Sequence, residues 1–168
     1  MSTAVRSNTN RRCWIYPTAN IPAAGAEKCQ RKYEGLRLKP YLCPAGVPTI
    51  GWGSTIYPNG KAVTLRDAAI TPKQASDILL ATMTKYEDAV RRYVKVSINQ
   101  NQFDALVDFA YNAGIGNLKT STLLKKVNAS DFVGAANEFG KWVHGGGVVL
   151  PGLVNRRHEE ADLFRSPV

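Results

Sequence analysis

Residues 33–53, Tyr-Glu-Gly-Leu-Arg-Leu-Lys-Pro-Tyr-Leu-Cys-Pro-Ala-Gly-Val-Pro-Thr-Ile-Gly-Trp-Gly, read as the end of a short helix running into a strand region broken by glycine and proline. One carboxylate, one thiol and one hydroxyl fall along it: Glu34, Cys43 and Thr49. A helix end followed by a turning sheet brings groups this close in sequence onto one wall of a cleft. The rest of the chain is then expected to supply the opposite wall.

Outward from that stretch, 168 residues fit one compact unit or two small lobes sharing a core. The preceding residues 1–25 are rich in Ser, Thr, Asn, Arg, Pro and Ala and lack periodicity. They read as an irregular arm, with Trp14 as its one docking group. A short, rather polar helix is expected from Ala26 to about Tyr33, stopped at Gly35. Short strands follow near 41–42, 49–52 and 62–64, with turns at 44–46 and 58–60, making a small antiparallel sheet lobe over about 34–70.

Thr71-Pro72-Lys73-Gln74 opens the longest helix: Thr71 caps, Pro72 suits the first turn and Gln74 completes a capping box. Apolar residues at three- and four-residue spacing carry it to about Val94. A second capping signal at Asn99 precedes a nearly all-apolar core helix ending at Gly114. Shorter helices are expected over 121–128, over 131–143 after a cap at Ser130, and over 151–164 from Pro151. Gly145-Gly146-Gly147 reads as a flexible joint. The predicted architecture is α+β: a sheet lobe, a long connecting helix and a helical lobe over about 72–165.

Twenty-two Lys and Arg against thirteen Asp and Glu give a net charge of +9, a field that draws polyanions without saying which. The three cysteines, Cys13, Cys29 and Cys43, are an odd number, so at least one is unpaired within the chain. With no C-x-x-C and only His144 and His158 to join them, neither a zinc site nor any other metal or cofactor is expected. No signal-peptide core and no membrane-length apolar run is present, so stable membrane insertion is not expected.

The chemistry centres on Glu34. A carboxylic acid partly desolvated at a helix end keeps a proton near neutrality, as protonating a glycosidic oxygen requires. Glu34, eight residues, Cys43, five residues and Thr49, between E-G-L-R-L-K-P-Y and T-I-G-W-G, resembles the catalytic pattern of the phage-type lysozyme (endolysin) family of glycoside hydrolases. Residues 100–114, 121–128, the surroundings of Trp142 and residues 150–157 are similar to endolysins too, in the same order.

The resemblance implies a muramidase cleaving the β-1,4 bond between N-acetylmuramic acid and N-acetylglucosamine of peptidoglycan, of the inverting kind in which a water sits beside the second group. It implies Glu34 as general acid, Cys43 where many members carry Asp, and Thr49 holding the attacking water. Tyr111 and Asn112 match positions at the cleft edge, and Arg156 or Arg157 matches an arginine beside the acid. Some endolysins trap this cysteine in a disulfide with an N-terminal one; here Cys13 occupies such a place, and a Cys13–Cys29 pair fits equally. Gly53-Ser54 departs from the usual Gly-His, and Cys29-Gln30 stands where relatives are aliphatic, predicting a weaker anchor for the first helix.

The implied partners are peptidoglycan and, indirectly, a holin that releases a monomeric enzyme from the host cytoplasm to the periplasm. A wall-binding module that does not cleave, a lytic transglycosylase and a basic nucleic-acid-binding domain are the rival readings. The last has no recognition motif behind it.

Overall fold

The computed structural model describes residues 14–15, 23–43 and 45–167, with the side chains of Trp14, Ile15 and Cys29 set aside. Strand β1 (Trp14–Ile15) lies antiparallel to β4 (Ile98–Asn99). Part of the expected arm is thus strand, and helix α1 (Ala24–Glu34) begins inside its expected limit. The remainder of the arm, Cys13 included, lies outside the described residues.

Helix α1 has no capping side chain of its own. Its first amides are satisfied from two other helices: Ala23 N–H donates to Glu87 at 2.8 Å and Gly25 N–H to Asp104 at 2.7 Å. A Cβ on Gly25 would sit 2.4 Å from Asp104 Oδ2, so only glycine permits this approach. The helix stops at Gly35, whose φ of 65° is one that glycine takes without strain.

Strands β2 (Arg37–Leu42) and β3 (Pro48–Gly51) form an antiparallel hairpin with an irregularity between Arg37 and Tyr41. The expected strand at 62–64 is reduced to one bridge, Ile56 to Ala62. Helix α2 (Pro72–Tyr93) opens with the predicted capping box, Thr71 and Gln74 each bonding the other's backbone. Its first half packs Ala75 near Gly51, while Val90 joins the main core. Ile50, Val63, Ala75 and Ile78 are buried outside that core, and α2 packs against β3 as well as α3.

Helix α3 (Gln100–Ala113), capped by Asn99 and Gln102, is buried from Gln102 to Ala110 and packs against α1, α2 and α7 (Pro151–Arg165). Around it lie α4 (Ile115–Thr120), α5 (Thr122–Asn128, capped by Ser121) and α6 (Phe132–Glu138).

Three expectations need correction. The helix expected over 131–143 ends at Glu138 and passes into a 3-10 turn, Phe139–Lys141. Its cap is Asp131, bonded to Gly134 N–H at 2.9 Å; Ser130 has φ 59° and takes the left-handed turn that ends α5 instead. The three glycines are no loose joint. Gly145 belongs to β5 (His144–Gly145), which pairs with β6 (Val148–Val149), and Gly146 and Gly147, with φ 60° and 83°, form the turn. Among the described residues, no helix is long and apolar enough to cross a membrane.

Candidate active site

Glu34 is the last residue of α1, and its side chain keeps 29% exposure. Arg156 of α7 reaches it from the buried side, Nη1 to Oε1 at 3.2 Å. From the opposite side the backbone of Gly53 comes so near that a Cβ there would lie 2.9 Å from Glu34 Oε2. With φ 88°, Gly53 is doubly constrained.

Cys43 follows the end of β2, at the head of the turn into β3. Its amide donates to Val47 O at 3.0 Å, closing that turn. Hydrogen bonding from the Val47 and Ala45 amides leads the causes that hold the Cys43 thiol's pKa below its ordinary value. Thr49, buried on β3, adds its hydroxyl to those causes. The same hydroxyl donates to Val47 O at 2.9 Å, so its single proton serves the carbonyl or the sulfur, one at a time.

Glu34, Cys43 and Thr49 therefore meet, together with Arg37, Tyr41, Gly53 and Thr55, around one open pocket of about 390 Å³. Tyr41 stacks under the Arg37 guanidinium at 4.5 Å. Burial, then the charge of Glu34, raises its phenol above the ordinary value, so Tyr41 offers the pocket a neutral hydroxyl.

The wall expected from α3 divides. Tyr111 lines an adjoining cavity of about 450 Å³ with Tyr57, Lys85 and Tyr86, and Gly53 and Thr55 border both spaces. Its hydroxyl donates to Trp52 O at 3.2 Å, and its ring lies 5.0 Å from that of Tyr86. Burial and the nearby Glu34 hold its phenol protonated. Asn112 faces a different cavity, of about 360 Å³, beside Trp142 and His144.

Arg157 does not pair with Glu34, contrary to one of the two expected alternatives. It donates to Asn112 Oδ1 at 2.8 Å and to Glu160 Oε1 at 2.6 Å, with its guanidinium 5.0 Å over the Phe109 ring. His144 and His158 are both exposed.

At the first helix, the anchor that was expected to be weaker takes a polar form. Gln30 is fully buried and donates to Asp108 Oδ1 at 2.6 Å, so a polar bond replaces the aliphatic anchor. Sequence reading missed Asp108 and its neighbour Glu160. The available signal was a charge placed mid-helix among Leu106, Val107, Phe109 and Ala110, where only a paired group is tolerated.

A family model described as phage lysozyme matches residues 31–160. The chain belongs to the phage lysozyme family. It is similar to the endolysin of Bacillus phage B103, 42% identical over 153 residues that cover 86% of this chain and 54% of that protein. The endolysin of Bacillus phage PZA is 45% identical over 141 residues, covering 81% and 52%. The chain thus spans about half the length of these two relatives. Among solved structures, the endolysin from Escherichia coli O157:H7 phage FAHEc1 superposes with a TM-score of 0.81 at 37% identity, covering 88% of this chain and 96% of that one. This phage lysozyme is α+β, with α1 and the β2–β3 hairpin carrying the acid, thiol and hydroxyl.

Proposed function

We propose that this phage lysozyme is an endolysin muramidase hydrolysing the β-1,4 bond between N-acetylmuramic acid and N-acetylglucosamine in peptidoglycan. The observation that carries this reading is the convergence of Glu34, Cys43 and Thr49 on one open pocket, with Arg156 bonded to Glu34.

In the mechanism, Glu34 is the general acid at the glycosidic oxygen. Arg156 fixes one carboxylate oxygen and leaves Oε2 toward Gly53 and the pocket. Cys43, disposed toward the thiolate by the surrounding amides, is the acceptor that draws a proton from a water, and Thr49 orients that water when its hydroxyl is released from Val47 O. Attack by water opposite the departing sugar makes the reaction inverting. The adjoining cavity with Tyr57, Tyr86 and Tyr111 continues the pocket and supplies aromatic faces on which sugar rings stack. No metal or cofactor enters these steps.

The physiological setting belongs to the same proposal. The enzyme acts as a monomer on periplasmic peptidoglycan after a holin releases it from the host cytoplasm, and nucleic acid is not its partner.

The test is product analysis on purified peptidoglycan. The wild type releases new reducing ends and Glu34→Gln releases none. Anhydro products without reducing ends would make the protein a transglycosylase, and binding without cleavage would make it a wall-binding module.

A further inference from the structure

Behind Glu34 lies a polar cluster that the catalytic steps above leave unused. Asp108, fully buried in the middle of α3, accepts three hydrogen bonds from two other helices. Gln30 Nε2 of α1 binds Oδ1 at 2.6 Å. Arg156 of α7 holds it with two nitrogens, Nη2 to Oδ1 at 3.0 Å and Nε to Oδ2 at 3.2 Å. Gln30 stands one turn before Glu34 on α1, and the third nitrogen of Arg156, Nη1, is the one bonded to Glu34.

From this geometry we infer that Asp108 is a positioning residue for the catalytic acid, setting at once the helix that carries Glu34 and the guanidinium that holds it. The inference rests on the reading of Glu34 as the acid. Asp108 lines none of the cavities described above and acts through Gln30 and Arg156.

Stability alone does not explain such a group. A buried ion pair seldom outperforms well-packed apolar residues of the same volume, whereas it does fix direction. A planar guanidinium gripped along one edge by a carboxylate has little rotational freedom, so its remaining nitrogen points one way. Arg156 is further confined by the Tyr33 ring, 5.3 Å from its centre. Glu160, one turn on along α7, lies 3.6 Å from Arg156 Nε, but its oxygen is committed to Arg157 at 2.6 Å. Burial, then its contact with Asp108, pushes the Glu160 carboxyl well above the ordinary range. That leaves Asp108 as the charge that balances Arg156 on the side away from Glu34.

An amide at position 108 breaks the arrangement. Asn offers one acceptor oxygen and presents its NH2 group to donors of Gln30 or Arg156. It also deletes the negative charge that offsets Arg156, so the charge balance beside Glu34 changes along with its geometry. The other groups facing Glu34 stay in place: Tyr111 from α3, and Arg37, Tyr41 and Cys43 from the hairpin.

The experiment measures kcat and KM of Asp108→Asn on purified peptidoglycan, together with a carbon-13 titration of the Glu34 side-chain carboxyl in the full chain. The expected result is a kcat lower by about tenfold or more, the scale of a misplaced catalytic group. KM is little changed, and the Glu34 titration is displaced from that of wild type. A folded Asp108→Asn protein with wild-type kcat and an unmoved Glu34 titration overturns the inference.

Should Asp108→Asn fail to fold, Gln30→Leu cuts only the bond to α1. A lowered kcat then supports the inference and a wild-type kcat overturns it. If wild type itself releases no reducing ends, the hydrolase reading falls, while the Glu34 titration still decides whether Asp108 governs that carboxyl.

Discussion

At the scale of single residues, Cys43 is the informative member of the proposed site, a thiol where a second carboxylate would be the ready base. An ordinary thiol is mostly protonated at neutral pH, but the amides of Val47 and Ala45 stabilise the charged sulfur. Because the shift is downward, thiolate persists to lower pH than in the unfolded chain. Iodoacetamide is therefore expected to alkylate Cys43 with a pH midpoint below that of the same residue in denaturant, and the alkylated enzyme to lose its lytic activity. Equal midpoints, or an active alkylated enzyme, would remove the thiolate from the mechanism. A second residue-scale prediction concerns Gly53. Gly53→Ala forces a Cβ to within 2.9 Å of Glu34 Oε2 at φ 88°. It should lower stability by about 1–2 kcal/mol, from the left-handed backbone alone, and reduce kcat more than a comparable Gly60→Ala, where φ is 82° but nothing lies within 4 Å. The acid, thiol and hydroxyl were legible in sequence because they are close together in the chain. Asp108 and Gln30 were not, because their pairing spans 78 positions and joins two helices whose contact no local pattern announces. Nor did local pattern separate Arg156 from Arg157: adjacent on a helix, they point about a hundred degrees apart, and only the position of α1 decides which meets Glu34.

At the scale of elements, capping signals proved the most readable feature. Thr71 and Asn99 lie at the starts of α2 and α3 with side chains bonded as expected. Removing one such cap is a local change, and Thr71→Ala should cost about 1 kcal/mol in a denaturant melt. Ser130 misled because Asp131, one residue later, competes for the same role, and the left-handed turn decides between them. The start of α1 was illegible for a different reason: its caps are Glu87 and Asp104, supplied by other helices. That arrangement has a pH signature. Burial first, and then the Glu87 charge, push the Asp104 carboxyl up to about 6, against the bonds from Gln100 and Gly25. The folded state thus binds its proton more tightly than the unfolded state, where a free carboxyl sits near pH ~4. This contribution to stability is complete below about pH 4 and is lost as pH rises through about 6. Asp104→Asn should flatten that part of the stability–pH curve, as measured by urea midpoints at closely spaced pH values. An unchanged slope would show that Asp104 titrates normally in the fold.

At the scale of the whole molecule, element length explains why the fold class was readable while the lobe contents were not. Long amphipathic helices announce themselves by periodicity, and α2 and α3 do so over 22 and 14 residues. The hairpins are too short to carry a period, so β5–β6 passed for a loose glycine joint. Charge is the one global property that sequence gives without folding, and its consequence is physical rather than structural. A net charge of +9 attracts an anionic wall over a range set by the screening length, about 10 Å at 0.1 M salt and about 3 Å at 1 M. The buried pair of Arg156 and Asp108 is shielded from that salt, since both side chains are almost wholly removed from solvent. Raising sodium chloride across this range should therefore raise KM for peptidoglycan steeply while leaving kcat nearly constant. Steady-state kinetics at saturating substrate separate the two. A kcat that falls in parallel with binding would mean that salt reaches the cluster behind Glu34, and that the charge steering the enzyme to its substrate is not independent of the charge that holds the acid.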